Sequence, residues 1–267
     1  MAPPPGRLLV VGDVHGRAGA LARLLRHLSE LPPGGADREL VFLGDLIDRG
    51  PASLRALDLA WSARRWADRW CLLPGNHELM LLDALEALDA GPGAGDSACA
   101  RMWRRNGGTS LLREVDPGGL LAARQALGTL RGALPAWFEP LMRDGPTHRL
   151  AGGFVLVHAG LDPSRDEAAF LAQPRRLADD AHWAWIREPF LAWRGGWGPG
   201  ADRIVVHGHT PATFEPIRTP GEADLLLDRV ATHRRLCLDA GAAGIEQVAA
   251  AEVVGDRYRL HVAPGPA

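Results

Sequence analysis

The sequence predicts an α/β fold with two mixed β-sheets packed as a sandwich, flanked by helices. It reads as a single domain over residues 1–267, with a small helical cap inserted at about 91–145. Three observations carry this reading. From residue 7 to residue 90, apolar runs of strand length alternate with leucines at helical spacing, the rhythm of right-handed crossover units around parallel strands. A Gly-Pro-Gly-Ala-Gly segment at 91–95 breaks that rhythm, and a mostly helical stretch at 97–143 follows. Apolar runs then return, joined by glycine turns, as antiparallel strands would be. Parallel units first and antiparallel strands later suggest the two sheets.

Residues 7–12 form a nearly continuous apolar run ending in glycine, as a strand buried on both faces should. Leucines at 21, 24, 25, 28 and 31 then mark a helix over 17–31, stopped by Pro32 and Pro33. A second strand is expected at 39–44, a second helix at 52–67 and a third strand at 69–73. A helix from about 77 to 90 follows. His148 to Leu150 and Phe154 to Val157, joined by Gly152-Gly153, read as a hairpin. A helical stretch is expected at 166–194, and strands at 203–206, 234–238, 247–254 and 257–262, the last two hinged at Gly255-Asp256. The tail Pro-Gly-Pro-Ala reads as disordered.

With 267 residues and 46% apolar content, the chain has material for a sizeable core. A net charge of −2 argues against a stable nucleic-acid partner. All 30 basic residues are arginine, so a phosphate-loop lysine, a Schiff-base lysine and a lysine general base are excluded. Cys71, Cys99 and Cys237 are unpatterned; Cys71 and Cys237 lie in apolar runs and read as reduced, buried packing residues. The first residues run directly into a strand with no signal-peptide stretch. No apolar run is long enough to span a membrane, so a cytoplasmic location is expected.

Five short polar motifs stand where strands should end. They are Gly-Asp-Val-His-Gly (12–16), Gly-Asp-Leu-Ile-Asp-Arg-Gly (44–50), Gly-Asn-His-Glu (75–78), His-Ala-Gly (158–160) and His-Gly-His-Thr (207–210). They gather Asp13, His15, Asp45, Asn76, His158 and His209. Carboxylates, imidazoles and an amide in that mixture suit a pair of divalent metals, and two metals clamping a phosphate suit hydrolysis. Asp13 and His15, two apart along an extended segment, point the same way and can converge on one ion.

In these motifs the chain resembles the phosphoprotein phosphatase (PPP) family of calcineurin-like metallophosphoesterases, in its compact bacterial form. The resemblance covers nearly all of residues 7–263 and is weakest at the cap and at 212–233. It implies that Asp13 and His15 bind the first metal, that Asp45 bridges both, and that Asn76, His158 and His209 complete the second. It implies two divalent ions, manganese first with iron or zinc as alternatives, and direct attack by a bridging hydroxide. His77 resembles the family's general acid, with Asp48 orienting its imidazole. Arg49, Arg187 and Asn76 are the expected phosphate-binding residues, the arginines through their bidentate forks.

Other residues are read more plainly. His207 alternates with His209 and is expected to face away. Glu78 reads as a helix-start carboxylate or as one that supports a ligand, in preference to a ligand itself. Asn106 is left open between a turn former and a substrate contact from the cap, and Asp239 between a turn former and a supporting group near the metals. Of Trp183 and Trp185, one could line the pocket. Arg101, Arg104 and Arg105 read as a solvated helix face. The expected activity is that of a phosphatase acting on phosphate monoesters, foremost a serine/threonine-type protein phosphatase. The alternative is symmetrical bis(5'-nucleosyl)-tetraphosphate hydrolysis. A catalytically silent scaffold is disfavoured because no ligand or acid residue is missing, and a nuclease because the chain is not basic. Substrates are thus a phosphorylated protein or a small phosphate ester or nucleotide.

Overall fold

A computed structural model of the chain describes residues 6–32, 37–91, 97–176, 179–212, 233–255 and 257–263. The expected loop at 212–233, the hinge residue Asp256 and the tail at 264–267 lie wholly or mostly outside them.

Two sheets form the centre. The first has the order β3-β2-β1-β8-β9 and the second β4-β5-β6-β7. Strand β1 (Arg7–Val11) pairs in parallel with β2 (Arg38–Phe42), which pairs in parallel with β3 (Arg69–Leu72). On its other edge β1 takes β8 (Val248–Val254) antiparallel, and β8 takes β9 (Arg257–Ala263) antiparallel. The second sheet joins the hairpin β4 (His148–Ala151) and β5 (Phe154–Val157) to β6 (Ile204–His207) and β7 (Arg235–Cys237), the last two pairings parallel. The two sheets were expected, but their membership differs from the chain order: the last two strands close the first sheet, not the second.

The two-residue period of each strand sorts its side chains between layers. Leu8 and Val10 of β1, Phe154 and Leu156 of β5, and Ile204 and Val206 of β6 meet between the sheets. Leu9 and Val11 face outward under α1 (Ala18–Glu30), α2 (Ser53–Ser62) and α3 (Asn76–Asp89). Helix α1 buries Leu21, Leu24, Leu25 and Leu28, one face of a helix, and ends where Leu31 turns extended before Pro32. On the outside of the second sheet, Val155, Val157 and Val205 pack against Phe170, Trp183 and Phe190.

The cap is helical, as expected. It comprises α4 (Ala98–Trp103), a π-helical turn (Arg104–Gly108), α5 (Thr109–Val115), α6 (Ala123–Ala133) and α7 (Phe138–Asp144). It packs on α3, with Leu81, Leu85, Trp103, Leu127 and Leu130 in one cluster. The expected helix at 166–194 is corrected. Only α8 (Glu167–Leu171) is helical there among the described residues, the others up to residue 194 being turns, bends and irregular chain. Pro174 and Pro189 interrupt the segment, and its apolar residues are spaced to reach the second sheet, not to form a helical face. A short α9 (Ala242–Ile245) precedes β8.

Candidate metal centre

Every motif of the sequence arrives at one end of the two parallel strand sets. Val11, Phe42 and Leu72 end β1, β2 and β3, and Val157 and His207 end β5 and β6. This is the carboxyl edge of parallel strands, where open α/β sheets place their sites. The loops that leave it are unusually bent. His15 (φ 46°), Asp45 (51°), Asp48 (70°), Arg49 (67°) and His209 (65°) all hold left-handed backbones. Each such non-glycine residue costs about 1–2 kcal/mol, a cost that tends to collect where function requires it.

Two groups of ligand-type side chains share Asp45. One is His15, Asp45 and His77; the other is Asp45, His158 and His209, all buried. His15 Nε2 lies 3.6 Å from Asp45 Oδ2, and His158 Nε2 lies 3.5 Å from Asp45 Oδ1, so the two carboxylate oxygens face different groups. His15 donates from Nδ1 to the Ile47 carbonyl (3.1 Å) and His158 from Nδ1 to the Leu43 carbonyl (2.8 Å), which leaves Nε2 of both aimed inward. Asn76 Oδ1 sits between His158 Nε2 (3.0 Å) and His209 Nδ1 (2.8 Å). Asp13 lies beside the first group, its Oδ2 4.0 Å from His15 Nε2, and its carboxylate accepts the His209 backbone N–H.

Two glycines make this crowding possible. A Cβ on Gly75 would fall 2.1 Å from Asp45 Oδ1, and one on Gly208 would fall 1.9 Å from Asp13 Oδ1. The first residue of Gly-Asn-His-Glu and the middle residue of His-Gly-His are therefore steric requirements.

Glu78 starts α3 and also supports the loops of the site. It is fully buried, and one oxygen accepts the N–H groups of Asp45 (2.8 Å) and Gly75 (2.9 Å) while the other accepts those of Leu46 (2.8 Å) and Ile47 (3.3 Å). The carboxylate thereby staples the second motif to the third.

His77 donates from Nδ1 to Asp48 Oδ2 at 2.7 Å, and its Nε2 is buried without a partner, 4.0 Å from Asp45 Oδ2. Burial disfavours the charged ring, but the carboxylates of Asp45 and Asp48 outweigh it and raise the pKa of His77. Burial pushes His15 the other way, down to about 3, against the pull of Asp45. His209 is held well below its usual value by burial and by the neighbouring His158 and Arg187. Burial likewise pushes Asp239 up to about 6.

The centre opens into a cavity of about 500 Å³. Arg49 and Arg187 line it together with Asn106, Trp185, Asp239 and Ile245. Trp185 is thus the tryptophan that reaches the pocket, while Trp183 is buried in the outer core. Asp239 accepts the Gly241 N–H (2.9 Å), forming the turn into α9 while facing the cavity. His207 faces away, edge-on to Phe190 with ring centroids 4.8 Å apart. Arg101 and Arg105 are exposed and Arg104 is half-buried. Cys237 is buried and Cys71 only half-buried, so the packing expected of Cys71 is partial.

Sequence reasoning missed Trp103, whose indole N–H donates to Asp48 Oδ2 at 2.8 Å, and Glu114, which binds the start of α2. The only sequence signal for Trp103 is its place just before Asn-Gly-Gly, the turn that carries Asn106.

The residues fit a pair of cations. Asp13, Asp45, Asp48, Glu78 and Asp239 are all buried around one centre, His77 Nε2 and His209 Nε2 are buried without partners, and oxygen and nitrogen donors dominate.

Residues 6–240 match the calcineurin-like phosphoesterase family, and the chain belongs to it. It is 34% identical over 202 residues to "Serine/threonine-protein phosphatase 1" of Salmonella typhimurium, covering 76% of this chain and 77% of that protein. It is 28% identical over 236 residues to "Bis(5'-nucleosyl)-tetraphosphatase, symmetrical" of Bordetella pertussis, covering 88% of this chain and 68% of that protein. Both are phosphoprotein phosphatase (PPP) family members, so the resemblance read from the motifs holds. A Saccharomyces cerevisiae protein serine/threonine phosphatase shares the fold, with a TM-score of 0.55, 15% identity, and 99% of this chain and 81% of that one covered. The chain is a metallophosphoesterase, a phosphatase of a family that uses a dimetal centre. Among the described residues, no helix is long and apolar enough to cross a membrane.

Proposed function

We propose that the chain hydrolyses phosphate monoesters, foremost those of serine and threonine in proteins. Asp13, His15 and Asp45 would hold one divalent ion, and Asp45, Asn76, His158 and His209 would hold the other. Manganese is the first candidate, with iron or zinc as alternatives. Bound there, such a pair supplies Lewis acidity to the phosphoryl oxygens and an activated water. Arg49 and Arg187 receive the remaining charge of the phosphoryl group, and Asn76 adds an amide donor toward it. A water oxygen bonds to phosphorus and the proton it loses passes to solvent, the ester P–O bond breaks, and His77 gives the proton on Nε2 to the departing alkoxide. Asp48 keeps the ring oriented and charged for that transfer.

The single observation that carries this reading is the Asp48–His77 pair, whose Nε2 is buried, unpartnered and turned toward Asp45. An alkoxide is a poor leaving group and needs an acid; a nucleotide leaving from an anhydride needs one much less. One feature favours symmetrical dinucleoside tetraphosphate hydrolysis as a second reading. The cavity carries an apolar wall of Trp185, Pro211 and Ile245, against which a base can pack.

Manganese-loaded protein assayed on phosphoserine and phosphothreonine peptides and on diadenosine tetraphosphate separates the two. The proposal expects higher kcat/KM on the peptides, and a larger loss there than on the dinucleotide for His77→Asn. Hydrolysis of the dinucleotide to two ADP with no peptide turnover overturns it.

A further inference from the structure

Asp48 and Arg49 are consecutive non-glycine residues in the left-handed region, at φ 70° and 67°. Two strained residues in a row persist only where the surroundings hold them. The bonds that hold them come largely from the cap, more than fifty residues further along the chain. Trp103, fully buried, donates its indole N–H to Asp48 Oδ2, the oxygen that also receives His77. The π-helical turn after it, a geometry that often marks functional sites, presents two carbonyls to Arg49. The Gly107 carbonyl accepts the Arg49 backbone N–H (3.3 Å), and the Asn106 carbonyl accepts its Nε–H (3.4 Å).

The fit leaves no room for a side chain. Gly107 stands at φ 118°, and a Cβ there would fall 2.6 Å from Arg49 Cγ. A Cβ on Gly108 would fall 2.2 Å from Trp103 Cε2, so the second glycine lets the turn close over the indole. From α5, Glu114 accepts the N–H groups of Ser53 (2.5 Å) and Leu54 (3.1 Å), and Ser53 Oγ in turn accepts the Asp48 N–H (3.0 Å).

We propose that the cap is a clamp on the Asp48–Arg49 turn, with Trp103 and the Asn106-Gly107 peptide as positioning groups that aim Arg49 at a substrate phosphoryl group. The clamp rests on the reading that Arg49 binds that group. Its consequence is specific: the cap governs oxyanion affinity and leaves the metal ligands in place, because the hydrogen bonds that form the clamp end on Asp48, Arg49 and the start of α2.

Orthophosphate is the probe. Its binding to manganese-loaded protein is measured by calorimetry and by competitive inhibition, with metal content per chain measured alongside. Arg49→Ala is expected to weaken orthophosphate about tenfold or more, the loss of charged hydrogen bonds. Gly107→Ala and Trp103→Phe are expected to weaken it about three- to tenfold with metal content unchanged. Added to Arg49→Ala, neither should weaken it further, since a clamp acts only through the arginine. Should Gly107→Ala fail to fold, Trp103→Phe, which keeps a ring and removes the N–H, carries the same test. Unchanged affinity in the cap variants, or losses that multiply with that of Arg49→Ala, overturns the clamp. If Arg49→Ala itself leaves orthophosphate binding intact, the phosphoryl-binding reading falls, and the clamp with it.

Discussion

Replacing Glu78 with glutamine removes one oxygen from a side chain that is fully buried and accepts four backbone N–H groups, two on each oxygen. Whichever way the amide turns, its NH₂ faces two N–H donors, either those of Asp45 and Gly75 or those of Leu46 and Ile47. Two buried donors are then left without acceptors, at about 1–3 kcal/mol each, so the metal-free protein should lose about 2–6 kcal/mol. Burial cannot be relieved by water, because the carboxylate lies beneath the loops it joins. Urea unfolding followed by the fluorescence of the nine tryptophans measures the loss as a lower midpoint at unchanged slope. The second motif should also loosen, so metal affinity falls with stability. A change below about 0.5 kcal/mol, the range of ordinary surface substitutions, would refute the staple.

Gly208→Ala drives a Cβ to within 1.9 Å of Asp13 Oδ1; metal analysis should find the ion beside Asp13 and His15 lost, with its partner weakened. Gly128→Ala, exposed in α6 with nothing within 4 Å of the added Cβ, should instead raise stability by about 0.5–1 kcal/mol, read as a higher urea midpoint. Burial pushes the Cys71 thiol up to about 12, so at pH 8 almost none of it is thiolate. Iodoacetamide should label Cys71 in urea and leave it unmodified in the folded protein, as mass spectrometry of its peptide will report.

What the sequence made legible was local. Gly-Asp-Val-His-Gly and its companions each fit within one turn, so residue types and glycines at fixed offsets identify them before any tertiary contact is known. The same holds for α1, whose leucines and closing prolines are all adjacent in the chain. What stayed hidden depended on distance. The pairing of β8 with β1 joins Val254 to Arg7, and no local pattern distinguishes that edge from one in the second sheet. The apolar residues between 166 and 194 imitate a helix because Phe170, Trp183 and Phe190 must each reach the same sheet face. Trp103 carries no local mark of its role, since its bond to Asp48 crosses 55 residues. The left-handed backbones of His15, Asp45 and His209 were equally hidden: aspartate and histidine take a positive φ more often than most residues, but still too rarely for residue type alone to mark these turns.

We propose that one carboxylate, Asp45, serves two metal sites. Anomalous diffraction from crystals of manganese-loaded protein tests it most directly. Two ions per chain are expected about 3.5–4 Å apart, one on each oxygen of Asp45, with His15 beside the first and His158 and His209 beside the second. A single ion, or two ions of which one lies away from Asp45, would contradict it.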